Sequence, residues 1–551
     1  MDTDDPMYRA FLDELDALEK FRMTYAAIRP QAGLQGEDPD VRRIIEALAL
    51  FVSRARQASG RSIDQTVRRM FQQHFSYLCD PMPGMVMLQG QPGERFADAA
   101  YLPRGTRVAA TVKPEENDRE GLTKSVSFCT SAGLRLLPVV LDELEIFRRK
   151  GGFRLVFRFE SGFFRNDEIG ELSLFVDYLS DFLASLEVLH TLKRSMRGAG
   201  IVFEDLIDGD TVGTPVDVSF GAPQRQDAEV LGFDHPLQQV RSVFHFPQQE
   251  LFLNLRVQKQ PRNWESFGVY IDLDETWPTH LRLSRDTFRL HTVPLVNLER
   301  AHGDPVEEDG TLDRHPIRNP DADARFIFHS LVGAYRIGDE ALLPLAPGVI
   351  EDADGTFEME YEHGGDKRRA FLHANIATAF DTPERLTVDA FWHQPSLCDR
   401  GLDAAAVGPV DRTVEGTSWA LVGALQAAAD NLAVDDRQSL LQLLSIKNQR
   451  FVDRDNLALL LRAVGVGTQP FFEALVGALS DVSVETKPYG RGSKGFKYIY
   501  SIEYRNLEHG QLAALDLLST KMLEILTVWS IEEIVELRVH VPNLEVELHY
   551  E

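Results

Sequence analysis

The chain has 551 residues, 44% of them hydrophobic and 26% charged, and its 58 Lys and Arg stand against 85 Asp and Glu for a formal net charge of −27. That length calls for several packed cores, and the balance of residues is that of a globular protein, which excludes disorder across the whole chain. So negative a field repels nucleic-acid phosphates and anionic lipid, leaving proteins and basic surfaces as the natural partners.

The first eighty residues read as three helices. Tyr8, Phe11, Leu15, Leu18, Tyr25 and Ile28 share one face, and Pro30 and Gly33 end the run. Asp38-Pro39 is a helix-start signal for a second helix carrying Ile44, Leu48, Phe51, Val52 and Ala55. Ser62 is read as opening a third, with Val67, Met70, Phe71 and Phe75, closed by Asp80-Pro81-Met82-Pro83-Gly84. Apolar stripes of this kind need something to pack on.

Beyond residue 84 short apolar or alternating runs broken by Gly and Pro predict strands, among them Arg107–Val112, Leu134–Leu141 and Phe153–Phe159, then a helix over Asp177–Arg194. Residues 200–400 read as strand and loop, with strands expected at Leu251–Val257, Phe267–Leu273 and Thr279–Leu290 and a long acidic surface excursion at Glu307–Asp323. From residue 411, Trp419–Leu432 and Asp435–Ser445 are expected as paired helices. Two strands then flank a glycine-rich turn, ending at Tyr504. A helix over Gly510–Val528 and a final strand through Val535, Leu537, Val539 and Val541 follow. The fold class is α+β and multi-domain: a helical segment at 1–82, an α+β domain at 83–200, a β-rich domain at 201–410 and a mixed α/β domain at 411–551.

Motifs for chemistry are sparse. Gly490-Arg-Gly-Ser-Lys-Gly495 carries glycines, serine and lysine, yet it sits between two strands and lacks the phosphate-loop spacing. A hairpin tip that docks on an acidic neighbour through Lys487, Arg491, Lys494 and Lys497 is the plainer reading. The 15 histidines form no close ligand pattern. Cys79, Cys129 and Cys398 are too few and too scattered for a disulfide framework and fit a reducing compartment. The acidic N-terminus has no basic segment followed by an apolar run, and no stretch reaches the ~20 apolar residues of a membrane helix. The expected compartment is the cytoplasm, with no cofactor, no metal and no catalytic residue assigned.

Several blocks in colinear order resemble one family. They are Asp5-Pro6-Met7-Tyr8 and Asp38-Pro39-Asp40-Val41; Pro81-Met82-Pro83-Gly84-Met85; Phe128-Cys129-Thr130 before Leu134–Pro138; Val243-Phe244-His245-Phe246-Pro247 before Leu251-Phe252; Phe288–Leu290 with Thr292–Leu298; and Trp419-Ala-Leu421. The pattern is similar to that of the TssF family of type VI secretion baseplate subunits, with Pro294, Val296, Asn297, Leu298 and Trp419 as its signature. It departs at Glu299, where the family has an aromatic residue, at Ala390–His393, and over the last hundred residues. Residue by residue, Pro294 suits a strand end and Asn297 a turn where it bonds nearby backbone.

The resemblance implies a structural wedge subunit of a cytoplasmic baseplate docked to an inner-membrane complex, and not an enzyme. It implies TssG, a second TssF copy, TssE, TssK, sheath and spike components as partners, and neither nucleic acid nor direct membrane insertion. Phe11, Leu15, Leu18 and Phe51 are then expected in a shared helical bundle. The alternatives are a wedge protein of a phage-tail-like or extracellular contractile particle, and a phosphate-binding enzyme using residues 490–495.

Overall fold

The structure, a computed structural model, describes residues 6–28, 39–112, 125–165, 167–223, 235–321, 325–348, 354–364, 367–430, 437–447, 449, 451–488, 496–530 and 534–551. Internal packing divides the chain into two units: Met1–Ser76 with Asp435–Leu444, and Tyr77–Val434 with Ser445–Glu551.

The first unit is helical. It contains α1 (Pro6–Ile28), α2 (Pro39–Cys79) as far as Ser76, and most of α6 (Arg437–Lys447). The third helix expected at Ser62 does not exist as a separate element, because α2 runs through 41 residues. Gly60 costs a helix only about 1 kcal/mol, and it lies seven residues from both Ser53 and Val67, on the stripe that buries Ala49, Ser53, Val67 and Phe71. The helix deviates only at Phe75, with φ −138° and ψ 39°. Buried Glu14 of α1 pairs with Arg56 of α2, and Asp64 of α2 accepts from Arg437 of α6 at 3.0 Å.

The second unit is built from sheets. The first has six strands, in spatial order 402–409, 107–112, 125–130, 292–296, 85–92 and 417–426. Its two outer strands pack on one another, so it curls into a barrel-like layer around Val86, Leu88, Val108, Val126, Phe128 and Leu295. Here the expected helix at Trp419 is corrected: Thr417–Gln426 is a strand. An apolar run such as Trp419–Leu425 fits either state by periodicity. What decides is pairing with Met85–Pro92, where Trp419 lies opposite Gly90 and a Cβ on Gly90 would come within 2.9 Å of the indole.

A five-stranded sheet follows (214–215, 196–203, 264–273, 152–165, 140–149), then a four-stranded one (217–220, 252–256, 171–176, 288–289). The expected strand over Thr279–Leu290 shrinks to a 3₁₀ turn at Arg285–Thr287 and a two-residue strand at Phe288–Arg289. Helix α3 (Phe182–Ser195) starts five residues later than the sequence predicts, because Leu179 and Ser180 hold φ of 56° and 53° and Asp181 is the cap, accepting from the Ala184 N–H at 2.8 Å. Helix α4 is Pro236–His245. Two further sheets share a core around Phe328, Leu372, Leu386 and Trp392. Short α5 (Pro395–Cys398) follows the strand Glu384–His393. The acidic excursion after Glu307 is not all surface: Glu308 and His315 are both buried and hydrogen-bonded to each other at 2.7 Å, which offsets the desolvation of the pair.

After α7 (Arg454–Ala463) and α8 (Pro470–Gly477), the strands 479–488 and 496–504 form a hairpin as expected. The strand 496–504 runs parallel to 534–541. Parallel neighbours need a crossover, and α9 (Leu512–Trp529) supplies it. A last strand, 546–550, completes the sheet. Charged groups tie α9 to the rest of its unit. Asp516 accepts from Lys193 of α3 at 3.0 Å and from the Tyr550 hydroxyl at 2.7 Å. Lys521 lies 3.2 Å from Glu250 and 3.0 Å from Glu524. Burial alone would lower the lysine's pKa, but these carboxylates outweigh it and raise the value. Replacing Lys521 by Met leaves the largely covered Glu250 carboxylate without its cation, so urea unfolding should show a loss of about 2–3 kcal/mol, most of it recovered in the double variant with Glu250→Gln.

Candidate assembly surfaces

Two features organise the second unit, and both are made of hydrogen bonds between distant segments. The first gathers the chain where it leaves α2. Pro81 and Pro83 cannot donate, but their carbonyls and those beside them still need donors. Arg241 of α4 donates to the carbonyls of Tyr77 and, at 2.9 Å, Asp80. His329 Nε2 meets the Pro81 carbonyl at 2.9 Å and His245 Nε2 meets that of Pro83 at 3.0 Å. Met82 exchanges backbone bonds with Ala429, and the Gly84 carbonyl accepts from the Asn297 N–H at 2.8 Å. The Tyr77 ring stacks on His235 with centroids 3.8 Å apart.

The second feature is the signature segment. Thr292–Val296 is a buried central strand between 85–92 and 125–130. The side chain of Asn297, fully buried, donates to the Ser127 carbonyl at 2.7 Å and accepts from the Gln394 N–H at 2.7 Å. Gln394 closes the ring by accepting from the Ser127 N–H at 2.8 Å. The expectation that Asn297 bonds nearby backbone is therefore corrected: its side chain satisfies backbone groups 170 and 97 residues away, because the local turn is closed by backbone alone, the Leu298 N–H bonding the Val296 carbonyl at 2.9 Å. Pro294 lies opposite Met87, its carbonyl accepting from the Ser131 N–H at 2.9 Å, while Val296 and Leu298 are core residues.

The other predicted positions separate. Phe11, Leu15 and Leu18 are half-buried along α1, whereas Phe51 of α2 is 70% exposed. On α1 Phe21 is 67% exposed and stacked on Tyr25 at 6.0 Å, and Ile28 is 72% exposed. With Met23, Ile44, Leu48, Met70 and Leu441 these residues give the helical unit an extensive apolar exterior. Of the basic docking residues, Lys487 lies 3.2 Å from Glu485, and Lys497 is held by Glu536 at 2.7 Å and Glu551 at 3.2 Å. Arg491, Lys494 and the glycine-rich stretch 490–495 lie outside the described residues. Sequence reasoning missed Arg241, His329 and Gln394. The one available signal was the Pro-Met-Pro run, whose carbonyls must be satisfied from elsewhere.

Burial pushes the Cys398 thiol up to about 12, and Cys129 is buried too. Among the described residues no three His, Cys, Asp or Glu side chains gather to hold a metal, and no helix is long and apolar enough to cross a membrane.

The family model of the type VI secretion system protein TssF matches residues 5–163 and 231–330. Over these residues, just under half of the chain, the sequence is similar to the TssF family. Among solved structures, a chain of the type VI secretion TssK-TssF-TssG baseplate subcomplex, determined by cryo-electron microscopy, superposes with a TM-score of 0.72 at 14% identity over 93% of this chain and 98% of its own. A chain of the type VI secretion baseplate complex gives 0.59 at 14% identity, over 99% and 98%. At such identity the likeness is one of fold. No curated protein matches the chain.

Two tests follow from these networks. Asn297→Ala orphans a buried carbonyl and a buried N–H, and should lower unfolding free energy by about 2–4 kcal/mol in denaturant titration. His245 and His291 are driven by burial from an ordinary 6.5 to about 4. Between those values the unfolded chain binds protons that the folded chain does not, so stability is full above about pH 6.5 and falls as pH drops toward 4. His245→Gln, whose amide can still donate to Pro83, should flatten that decline in a pH series of melting curves.

Proposed function

We propose that this chain is a structural wedge subunit of the cytoplasmic baseplate of a type VI secretion system, acting by assembly and not by catalysis. The observation that carries the reading is the apolar exterior of the helical unit. Side chains such as Phe21, Ile28, Ile44 and Phe51 stand in solvent on long helices, where an isolated protein would place polar groups and an intersubunit bundle needs apolar ones. The solved chains of like fold come from a TssK-TssF-TssG subcomplex and a whole baseplate, which supports TssG and TssK as partners here. A second TssF copy, TssE, sheath and spike components complete the proposed surroundings, with the baseplate docked to the inner-membrane complex from the cytoplasmic side.

In this role the sheets form a stiff frame and the helices a joint. Assembly creates the platform from which sheath and tube polymerise, and rearrangement of the wedges releases contraction. Phe51 of the predicted bundle residues is the better probe, since Phe11, Leu15 and Leu18 are half-buried within their own unit. Phe21→Asp combined with Phe51→Asp removes exposed apolar surface without opening a core, so the melting temperature of the isolated chain should stay within about 2 °C. Co-purification with a TssG-family protein from the same organism should be lost; retained co-purification would refute the bundle.

A further inference from the structure

One end of the five-stranded sheet collects exposed apolar side chains from three separate segments. Val140 pairs with Glu160, Glu160 pairs with Ser266, and the Ser266 carbonyl accepts from the Glu204 N–H. Between Glu160 and Arg165 the register jumps, so that residues 161–164 bulge out opposite Glu265 alone. The bulge exposes Phe163 by 66% and Phe164 by 74%; Val140, paired with Glu160, is 51% exposed, and Leu206, two residues beyond Glu204, is 77% exposed.

These segments are fixed in place. The Phe163 N–H bonds Ser161 Oγ at 3.2 Å, and Arg165 donates to the Ala97 carbonyl with its guanidinium 5.8 Å from the Phe163 ring. Leu206 belongs to a strap, residues 204–213, laid across the outer face of the sheet. Ile207 of the strap is buried over Gly268, where a Cβ would come within 2.5 Å of it. Arg154, almost wholly buried, donates to the carbonyls of Asp208 and Thr211 at 2.8 Å each, forks onto Asp272 at 2.7 and 3.0 Å and lies 3.9 Å from the Tyr270 ring centroid. Glu204 Oε1 accepts from the Glu265 and Ser266 N–H groups, and the Gly213 N–H bonds the Tyr270 hydroxyl at 2.9 Å. The strap commits a buried arginine to a surface segment, which preorganises it for recognition.

We propose that this end of the sheet, centred on Val140, Phe163, Phe164 and Leu206, docks a different protein of the same assembly that presents an apolar patch rimmed by lysine or arginine. Charge decides the occupant. Glu160 and Asp205 are exposed beside the apolar centre, Glu265 is half-exposed, and the whole chain carries −27. A second copy would set acidic rim against acidic rim, which costs affinity, whereas a basic rim is complementary. The four side chains offer on the order of 400 Å² of apolar surface, as large as the patches monomers leave exposed and about half of one side of a standard interface. Phe164 and the strap lie outside the residues matched by the family model.

The surface rests on the assembly role above, and the experiment separates the two. A photo-crosslinking amino acid at position 164 is placed in the full chain, co-expressed with TssG-family, TssK-family and sheath proteins from the same organism. A crosslink to one of these, mapped to an apolar patch bordered by basic residues, is the expected result. Phe163→Ala with Phe164→Ala should keep the melting temperature and weaken that contact on the order of 100-fold. Glu160→Lys with Asp205→Lys should slow association roughly tenfold at low salt and little at about 0.5 M. Crosslinks only to a second copy, or variants that bind like the parent while the complex forms normally, overturn the docking surface and leave the assembly role standing. A parent chain that binds none of its neighbours overturns both.

Discussion

The chain between Tyr77 and Gly84 is held by groups that come from all over its unit, and much of the fold is organised around that grip. Donors from α4, from the strand 327–337, from Ala429 and from Asn297 converge on consecutive carbonyls. Each donor also serves its own element. Asn297 ends the central strand of the six-stranded sheet, and through Ser127 and Gln394 it fixes that strand to the strands 125–130 and 384–393. The order of these sheets and the path of the chain out of α2 are therefore set by one connected set of bonds. Buried networks of this kind stabilise to the extent that their members are satisfied; here the carbonyls from Asp80 to Gly84 each have a donor, while His245 Nδ1 is buried without a hydrogen bond.

The same economy of buried polar groups recurs in the C-terminal part. Helix α9 is apolar enough to cover its sheet, yet it places Asp516 and Lys521 where each finds partners in other elements. Hydrophobic burial supplies cohesion without direction, and the charged contacts determine which way the helix faces and what it faces. A structural subunit needs that definition, since its surfaces must meet several neighbours in one geometry.

Much of the architecture was legible in the sequence where a single periodicity dominated. Arg107–Val112, Phe267–Leu273, the hairpin ending at Tyr504 and the C-terminal helix stand close to their predicted places. Local rules failed where a distant partner made the choice. Trp419 lies in a strand because Gly90 opposite leaves room for its ring. Ser62 lies inside a helix because the buried stripe continues through Gly60. The grip on residues 77–84 draws on histidines and an arginine scattered from 241 to 329, and the strap over the five-stranded sheet depends on a buried arginine at 154; no spacing rule links them. The candidate interface was half legible: the apolar helices announce themselves, while the aromatic bulge arises from a register break that only strand pairing reveals.

The grip on the α2 exit has a mechanical side. Any load that reaches Tyr77 along the backbone meets the held segment at once. The bonds from Arg241, His329, Ala429, His245 and Asn297 sit on neighbouring carbonyls and take such a load together instead of in succession. A tether of that design stays stiff under small forces and lets go at a threshold.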